Sequence, residues 1–271
     1  MVAKRAAGGV INCLRVHAAE PLQNMTADGG RRVATAGGAL LIAAGEAARF
    51  DAGGAALFTP QYWQARGALQ PTARGRGSSW FITAGDGLDA VQWALRHYRR
   101  GGWLATRASL DRYLWRGEDA VRSFAEWRLL ATLRARGLPV PEPVGASYQR
   151  AGFTYRCDLI TRRIPDAGPL SDLLAVGSAD LKLWRELGGL LARLHATGCD
   201  HPDLNAHNIL VAGDGSLSII DFDRGELRDP GPWREDNLRR LHRSFVKVTR
   251  GLPPARFSAA DWLTLLEGYG S

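Results

Sequence analysis

The chain has 271 residues and a mass of 29.4 kDa, enough to bury a real core in one bilobal domain or two small ones. Hydrophobic residues at 45% and charged residues at 23% are ordinary for a globular protein, and no apolar run approaches the roughly 18 residues of a membrane span. The formal charge of +8 and pI near 9.9 favour a polyanionic partner: nucleotide phosphates, nucleic acid or an anionic membrane surface. Only Lys4, Lys182 and Lys247 among the 35 basic residues are lysines, so the charge is almost all Arg. Arg suits phosphate and carboxylate through its planar fork. Abundant Ala and Gly reveal a composition bias that explains Arg over Lys equally well. Cys13, Cys157 and Cys199 are widely spaced and odd in number, with no metal or disulfide pattern, which fits a reducing compartment.

In chain order, residues 1–30 read as a disordered N-terminal extension, because the apolar stretch before His17 is too broken for a signal peptide. Residues 33–58 show short apolar runs interrupted by Gly, consistent with a loose first strand. Arg74-Gly75-Arg76-Gly77-Ser78-Ser79-Trp80-Phe81-Ile82 is a Gly-rich turn entering a strand. Residues 90–95 form a second strand, ending at the basic cluster Arg96-His97-Tyr98-Arg99-Arg100. Residues 119–136 predict a helix with Val121, Phe124, Leu130 and Leu133 on its apolar face and Gly137 as its stop. Pro139, Pro141 and Pro143 force an extended segment. Residues 155–160 are a strand, 180–195 a strongly apolar helix, and 234–248 a basic helix. Strands with one main helix, followed mostly by helices, make an α+β protein of two lobes. The expected division is 31–164 for a small β-rich N-lobe and 165–271 for a larger helical C-lobe.

The most informative run is His201-Pro202-Asp203-Leu204-Asn205-Ala206-His207-Asn208-Ile209-Leu210, followed by Ile219-Ile220-Asp221-Phe222-Asp223. Asp203 and Asn208 are 5 residues apart, and Asp221 follows Asn208 by 13. Between them, Ile209-Leu210-Val211 and Leu217-Ser218-Ile219-Ile220 are short strands around Gly213-Asp214-Gly215, a hairpin that sets Asn208 and Asp221 at neighbouring ends. This is the layout of a kinase catalytic loop and metal segment: Asp203 takes a proton from an attacking hydroxyl, while Asn208 and Asp221 hold Mg²⁺ against the phosphates of ATP. Two unrelated polar turns flanking a hairpin are the plainer alternative.

Two further features gain meaning beside that run. Gly75, Gly77 and Ser78 alone read as a hairpin turn; upstream of an Asp…Asn…Asp constellation they read as a phosphate cover. No Lys lies between Lys4 and Lys182, so the first lobe has none to set against the nucleotide phosphates. Arg96 at the strand end is the natural substitute and Glu126 in the helix its natural partner. A surface Arg and a solvated Glu are the competing reading.

The chain resembles the bacterial 3-deoxy-D-manno-octulosonic acid (Kdo) kinases, lipopolysaccharide core kinases of protein-kinase-like fold. The residues that carry this are Gly75-Arg76-Gly77, Leu95 to Gly102, Asp111-Arg112-Tyr113-Leu114, Leu138-Pro139-Val140-Pro141, Asp203-Leu204-Asn205-Ala206-His207-Asn208-Ile209-Leu210 and Ile220-Asp221-Phe222-Asp223-Arg224-Gly225. The resemblance implies ATP-dependent phosphorylation of the 4-OH of Kdo on a lipid A precursor, by a peripheral protein on the cytoplasmic side of the inner membrane. Two positions depart from protein kinases: Asn205 stands where they place a Lys, and Asp223 replaces the Gly after the Asp-Phe pair. Both argue against a protein substrate, and nucleic acid is not an expected partner.

An anionic acceptor agrees with two basic strings, one of Arg99, Arg100, Arg107, Arg112 and Arg116, the other of Arg234, Arg239, Arg240, Arg243 and Lys247. Leu238, Leu241, Phe245 and Val248 mark an apolar face on the second. That helix fits either an anionic bilayer surface or an ordinary place in the lobe with its apolar face in the core. His207 and His242 are expected to be structural or surface residues. The competing functions are another small-molecule kinase, acting on a heptose, a choline-like alcohol or an aminoglycoside, and a non-catalytic nucleotide- or membrane-binding regulator.

Overall fold

Val, Ile, Leu and Trp in period-two patterns build the first half of the chain into an antiparallel sheet. The computed structural model describes residues 29–71, 79–99 and 111–271. The strands are β1 (Gly30–Thr35), β2 (Gly38–Ala43), β3 (Leu69–Pro71), β4 (Ser79–Ala84), β5 (Val91–His97), β6 (Tyr113–Leu114), β7 (Pro143–Ala151) and β8 (Thr154–Arg162). Their order is β1-β2-β7-β8-β5-β4-β3, with β6 added to β8. The helices α1 (Ala47–Gly53), α2 (Pro60–Gln64) and α3 (Arg122–Ala135) accompany them.

The strand expected over 90–95 runs on to His97. Its neighbours continue the ladder on both sides: Arg96 lies opposite Ser79 on β4 and Leu159 on β8, and the Tyr98 N–H donates to the Cys157 carbonyl at 3.1 Å. Arg96 is therefore held inside a strand, with less freedom than a strand-end residue. The helix expected over 119–136 starts later, at Arg122, because Glu118 is tied to the sheet. Its carboxylate accepts from Arg32 at 2.8 Å and from the Tyr148 hydroxyl at 2.7 Å. Phe124, Leu130 and Leu133 are buried as the periodicity requires, and Gly137 ends the helix at φ 73°.

Strand β7 escaped the sequence reading, which saw only an extended Pro segment there. Gly145 and Ser147 interrupt its apolar pattern, yet both are buried. A Cβ on Gly145 would come within 2.6 Å of the Phe50 ring, so that position must be small. Residues 33–58 likewise hold more than a loose strand, namely the β1–β2 hairpin and α1.

The rest of the chain contains β9 (Ala167–Pro169), α4 (Leu170–Val176), α5 (Leu181–Ala196), β10 (Cys199–Asp200), β11 (Ile209–Ala212), β12 (Leu217–Ile219), β13 (Glu226–Leu227), α6 (Trp233–Val248) and α7 (Ala259–Gly270). Asp180 caps α5 by accepting the Leu183 N–H at 2.7 Å, and Ser258 with Asp261 forms a capping box on α7. Helices α5 and α7 pack through glycine: a Cβ on Gly188 would lie 2.0 Å from the Leu265 carbonyl oxygen, and one on Gly268 2.1 Å from that of Arg185.

One apolar core joins α3, β7 and β8 to α4, α5, α6 and the β11–β12 hairpin. A second, with Phe50, Phe58, Trp63 and Trp93, fills the other face of the sheet beneath α1 and α2. Leu241 and Phe245 of α6 belong to the first core, and Leu238 and Val248 pack against it. The apolar face of this basic helix is therefore committed to the interior and is not available to a bilayer; only its charged face is. No helix among the described residues is long and apolar enough to cross a membrane.

His195 ties α5 to α7. Its Nδ1 shares a 2.8 Å hydrogen bond with the Tyr269 hydroxyl, while Nε2 is buried without a partner. Burial pushes the imidazole down to about 4. The unfolded chain then binds the proton more readily than the folded one as pH falls from 6.5 to about 4. Stability is expected to drop over that window, by up to about 3 kcal/mol for this group alone. Urea unfolding across pH checks it: His195→Gln should flatten this part of the wild-type slope, and an identical slope in both proteins would assign acid sensitivity elsewhere.

Candidate active site

The segment after β10 is a tight loop whose alternate residues turn inward. Leu204 and Ala206 are fully buried, whereas Asp203 is exposed. The backbone is fixed by its own side chains. The Asp203 carbonyl accepts from Asn205 Nδ2 at 2.8 Å and from Asn208 Nδ2 at 2.9 Å, and Asn205 Oδ1 accepts the His207 N–H at 2.9 Å. The Asp203 carboxylate itself has no partner among the described residues. The fold holds its main chain and leaves its side chain for other use.

Neighbouring elements lock the loop. The His201 N–H donates to Asn237 Oδ1 on α6 at 3.0 Å, and the Ala206 N–H donates to Ser244 Oγ on the same helix at 3.0 Å. Asp200 accepts from Asn237 Nδ2 and from Arg228, both at 2.8 Å. The His201 ring bonds the Ile220 carbonyl through Nε2 at 3.1 Å and lies 4.7 Å from the Phe222 ring. Burial lowers the pKa of His201, so the ring is a neutral strut between the loop and the segment after β12.

The β11–β12 hairpin forms as expected, with Ile209 opposite Ile219, and the Ile220 N–H donating to the Asn208 carbonyl at 2.9 Å. Asn208 and Asp221 thus emerge side by side. Asp221 takes a left-handed backbone at φ 63°, which turns the chain after the strand. The Asn208 amide NH₂ is used by the Asp203 carbonyl, so its Oδ1 is left to serve as a ligand. Arg96 engages Asp221 Oδ1, leaving Oδ2. An amide oxygen beside a carboxylate oxygen is a donor set suited to a hard cation that also takes phosphate oxygens and water.

Arg96 joins three elements. From β5 it donates to Glu126 on α3 and to Asp221. Glu126 is only 4% exposed and accepts also from the Tyr98 hydroxyl and, at 3.2 Å, from the Phe222 N–H. The surface-pair reading of these two residues is thereby set aside. Burial opposes the charge on Arg96, but Glu126, with Asp221 adding to it, outweighs that and holds the guanidinium protonated. Burial likewise pushes Glu126 up, to about 7, against the pull of Arg96.

A second clamp was not foreseen. Arg122, at the start of α3, forms a two-pronged pair with Asp223, with Nε 2.8 Å from Oδ1, and sits 4.7 Å from the Tyr113 ring centroid. The signal was present: Arg122 and Glu126 are one helical turn apart, so a helix presenting Glu126 to the segment after β12 presents Arg122 there too. Tyr98, two residues beyond Arg96, was legible only once β5 was known to extend past Leu95. Asn237 and Ser244 had no local signal. Gly75, Gly77, Ser78, Arg100 and Arg107 lie outside the described residues. His207 is exposed, bonded to Ser171 through Nδ1 at 2.7 Å, and the His242 ring lies 4.7 Å from that of Trp262, tilted at 58°; neither joins the site.

A carboxylate without a partner among the described residues, two oxygens suited to a hard cation and a half-buried guanidinium on one constellation can accept a proton and hold phosphates. Comparison with known proteins agrees. Residues 60–269 match the model of the lipopolysaccharide kinase (Kdo/WaaP) family. A Stenotrophomonas maltophilia (strain R551-3) protein named 3-deoxy-D-manno-octulosonic acid kinase is 46% identical over 217 residues, covering 79% of this chain and 84% of that protein. A Xanthomonas oryzae pv. oryzae (strain PXO99A) protein of the same name is 48% identical over 195 residues, covering 72% and 76%. With a family match across most of its length, including the loop and both clamps, the chain belongs to the lipopolysaccharide kinase (Kdo/WaaP) family.

Proposed function

We propose that this protein is an ATP-dependent kinase that phosphorylates Kdo, at its 4-OH, on a lipid A precursor during assembly of the lipopolysaccharide core. The observation that carries the chemistry is the Asp203 carboxylate, exposed and without a partner among the described residues, on a loop held by the Asp203 carbonyl. The acceptor rests on the similarity to the kinases above. The acceptor oxygen bonds to the γ-phosphorus, the bond from that phosphorus to the bridging oxygen breaks, ADP departs, and the hydroxyl proton passes to Asp203. Asn208 and Asp221 are the residues that would hold Mg²⁺, which when bound neutralises charge on the phosphates. Arg96, oriented by Glu126, clamps the nucleotide phosphates, and Gly75, Gly77 and Ser78 cover them through backbone amides.

In this reading residues 31–164 and 165–271 are two lobes of a kinase with the nucleotide between them. The protein works as a peripheral enzyme on the cytoplasmic side of the inner membrane. With the apolar face of α6 committed to the core, attraction to anionic lipid comes from charge, from the net +8 and the exposed Arg residues. Purified protein with ATP and Kdo-lipid A precursor should release ADP and yield a phosphorylated lipid; heptose and aminoglycosides should be poor acceptors. Exposed charges are screened beyond about 8 Å at physiological salt, so turnover on membrane-presented acceptor should fall as ionic strength rises. Rapid, salt-insensitive phosphorylation of a neutral or cationic sugar would reject this acceptor in favour of another small molecule.

A further inference from the structure

Helix α6 runs alongside the loop that carries Asp203 and touches it twice, through Asn237 to the His201 N–H and through Ser244 to the Ala206 N–H. Residues 237, 240 and 244 are three and four apart, so they share one face of the helix. Arg240 therefore stands between the two anchors, on the turn of α6 past which residues 202–205 must run. It is half-buried, and its Nε is sealed from solvent with no hydrogen-bond acceptor. Among the described residues Arg240 has no ion pair either.

The Nε of Arg234 on the same helix is likewise buried without an acceptor, but Arg234 and Arg239 each have a partner elsewhere on the guanidinium. Arg239 pairs with Asp236 at 2.5 Å, and Arg234 donates to the His195 carbonyl at 2.9 Å. A guanidinium has five donors and stays charged at every accessible pH, so partly burying one without an acceptor is costly. Residues 202–206 offer no cation of their own, and the neutral Asn205 side chain is already bonded to the Asp203 carbonyl and the His207 N–H. A half-buried Arg with no ion pair among the described residues, on the helix face that holds the Asp203 loop, can receive an incoming anion.

We propose that Arg240 binds an anionic group of the acceptor, a carboxylate or a phosphate, and so fixes the reacting hydroxyl against Asp203. This rests on the acceptor reading given above. It makes Arg240 a specificity-determining residue: acceptors lacking the matched anion lose its contact and leave a half-buried charge unpaired.

Steady-state kinetics with both substrates varied test it. Arg240→Gln should raise the KM for Kdo-lipid by roughly 10- to 100-fold, as expected for a lost charge-assisted contact. The KM for ATP should move less than about threefold, a split that simple misfolding would not produce. Arg240→Lys keeps the charge and should fall between. Two modified acceptors identify the anion, one with the Kdo carboxyl converted to its amide, the other with the lipid phosphates removed. With the acceptor that lacks Arg240's anion, wild type and Arg240→Gln should have the same KM. If the substitution instead adds its full effect on both modified acceptors, or raises the KM for ATP as much as that for lipid, Arg240 does not bind the acceptor and the inference fails. A wild-type protein unable to phosphorylate Kdo-lipid at all would overturn the acceptor reading itself, and this inference with it.

Discussion

Replacing Asp203 with Ala is expected to lower kcat by roughly 10²–10⁴-fold, the range for loss of a positioned proton acceptor. The protein should remain folded with its KM for ATP nearly unchanged. The structure explains why chemistry and stability separate at this residue. The loop is held by the Asp203 carbonyl, by Leu204 and Ala206 in the core, and by α6 through Asn237 and Ser244. None of these uses the carboxylate, so truncation leaves no buried group without a partner. Asp203→Asn keeps the shape, removes the basicity, and should be impaired to a similar degree. Single-turnover measurements with Kdo-lipid acceptor, alongside thermal unfolding, provide the check. Near wild-type turnover in either variant would remove Asp203 from the role of base.

Much of the site was legible because its residues sit close together in sequence and share a turn-bounded hairpin. Asn208 and Asp221 could be set side by side from the two short strands alone, since register follows from the turn between them. Arg96 and Glu126 were found by elimination, there being no Lys between residues 4 and 182. What stayed hidden depends on contacts between distant segments. The pairing of Glu126 with Arg96 was expected, but its bonds to Tyr98 and the Phe222 N–H emerge only when α3 is packed against the sheet. Asn237 and Ser244 support a loop more than thirty residues before them, and no local pattern announces it. Strand β7 was missed for a different reason: Gly145 and Ser147, two apart and so on one face, break the apolar pattern because Phe50 crowds the first and the hydroxyl of the second bonds Asp158. Ser147 accepts at its carbonyl from the Ser123 hydroxyl at 2.9 Å, a partner that appears only with the fold. The basic helix α6 carried a correct pattern with two meanings, and packing decided that its apolar stripe belongs inside.

Removing the Arg96 guanidinium should be costly in two separable ways. Glu126 is 4% exposed, and its principal counter-charge is Arg96. Arg96→Ala strands that carboxylate in the interior, which typically costs about 3–5 kcal/mol when the other partner stays ionised. Protonation relieves part of that cost already near neutral pH, because burial pushes Glu126 up to about 7 even against the pull of Arg96, and losing Arg96 raises it further. Use of ATP should fall as well, with kcat/KM for the nucleotide down by roughly 10²-fold, as expected for losing charge-assisted contacts to phosphate. Arg96→Lys should recover part of both, since one ammonium cannot span Glu126 and Asp221 as the two-pronged guanidinium does. The double variant Arg96→Ala/Glu126→Gln separates the effects, because a neutral amide needs no counter-charge. Urea unfolding should show it regaining most of the stability lost in Arg96→Ala, while its kcat/KM for ATP stays low. If the double variant instead regains ATP use together with stability, Arg96 serves only to neutralise Glu126, and the phosphate clamp must be sought at Arg99 or Arg100.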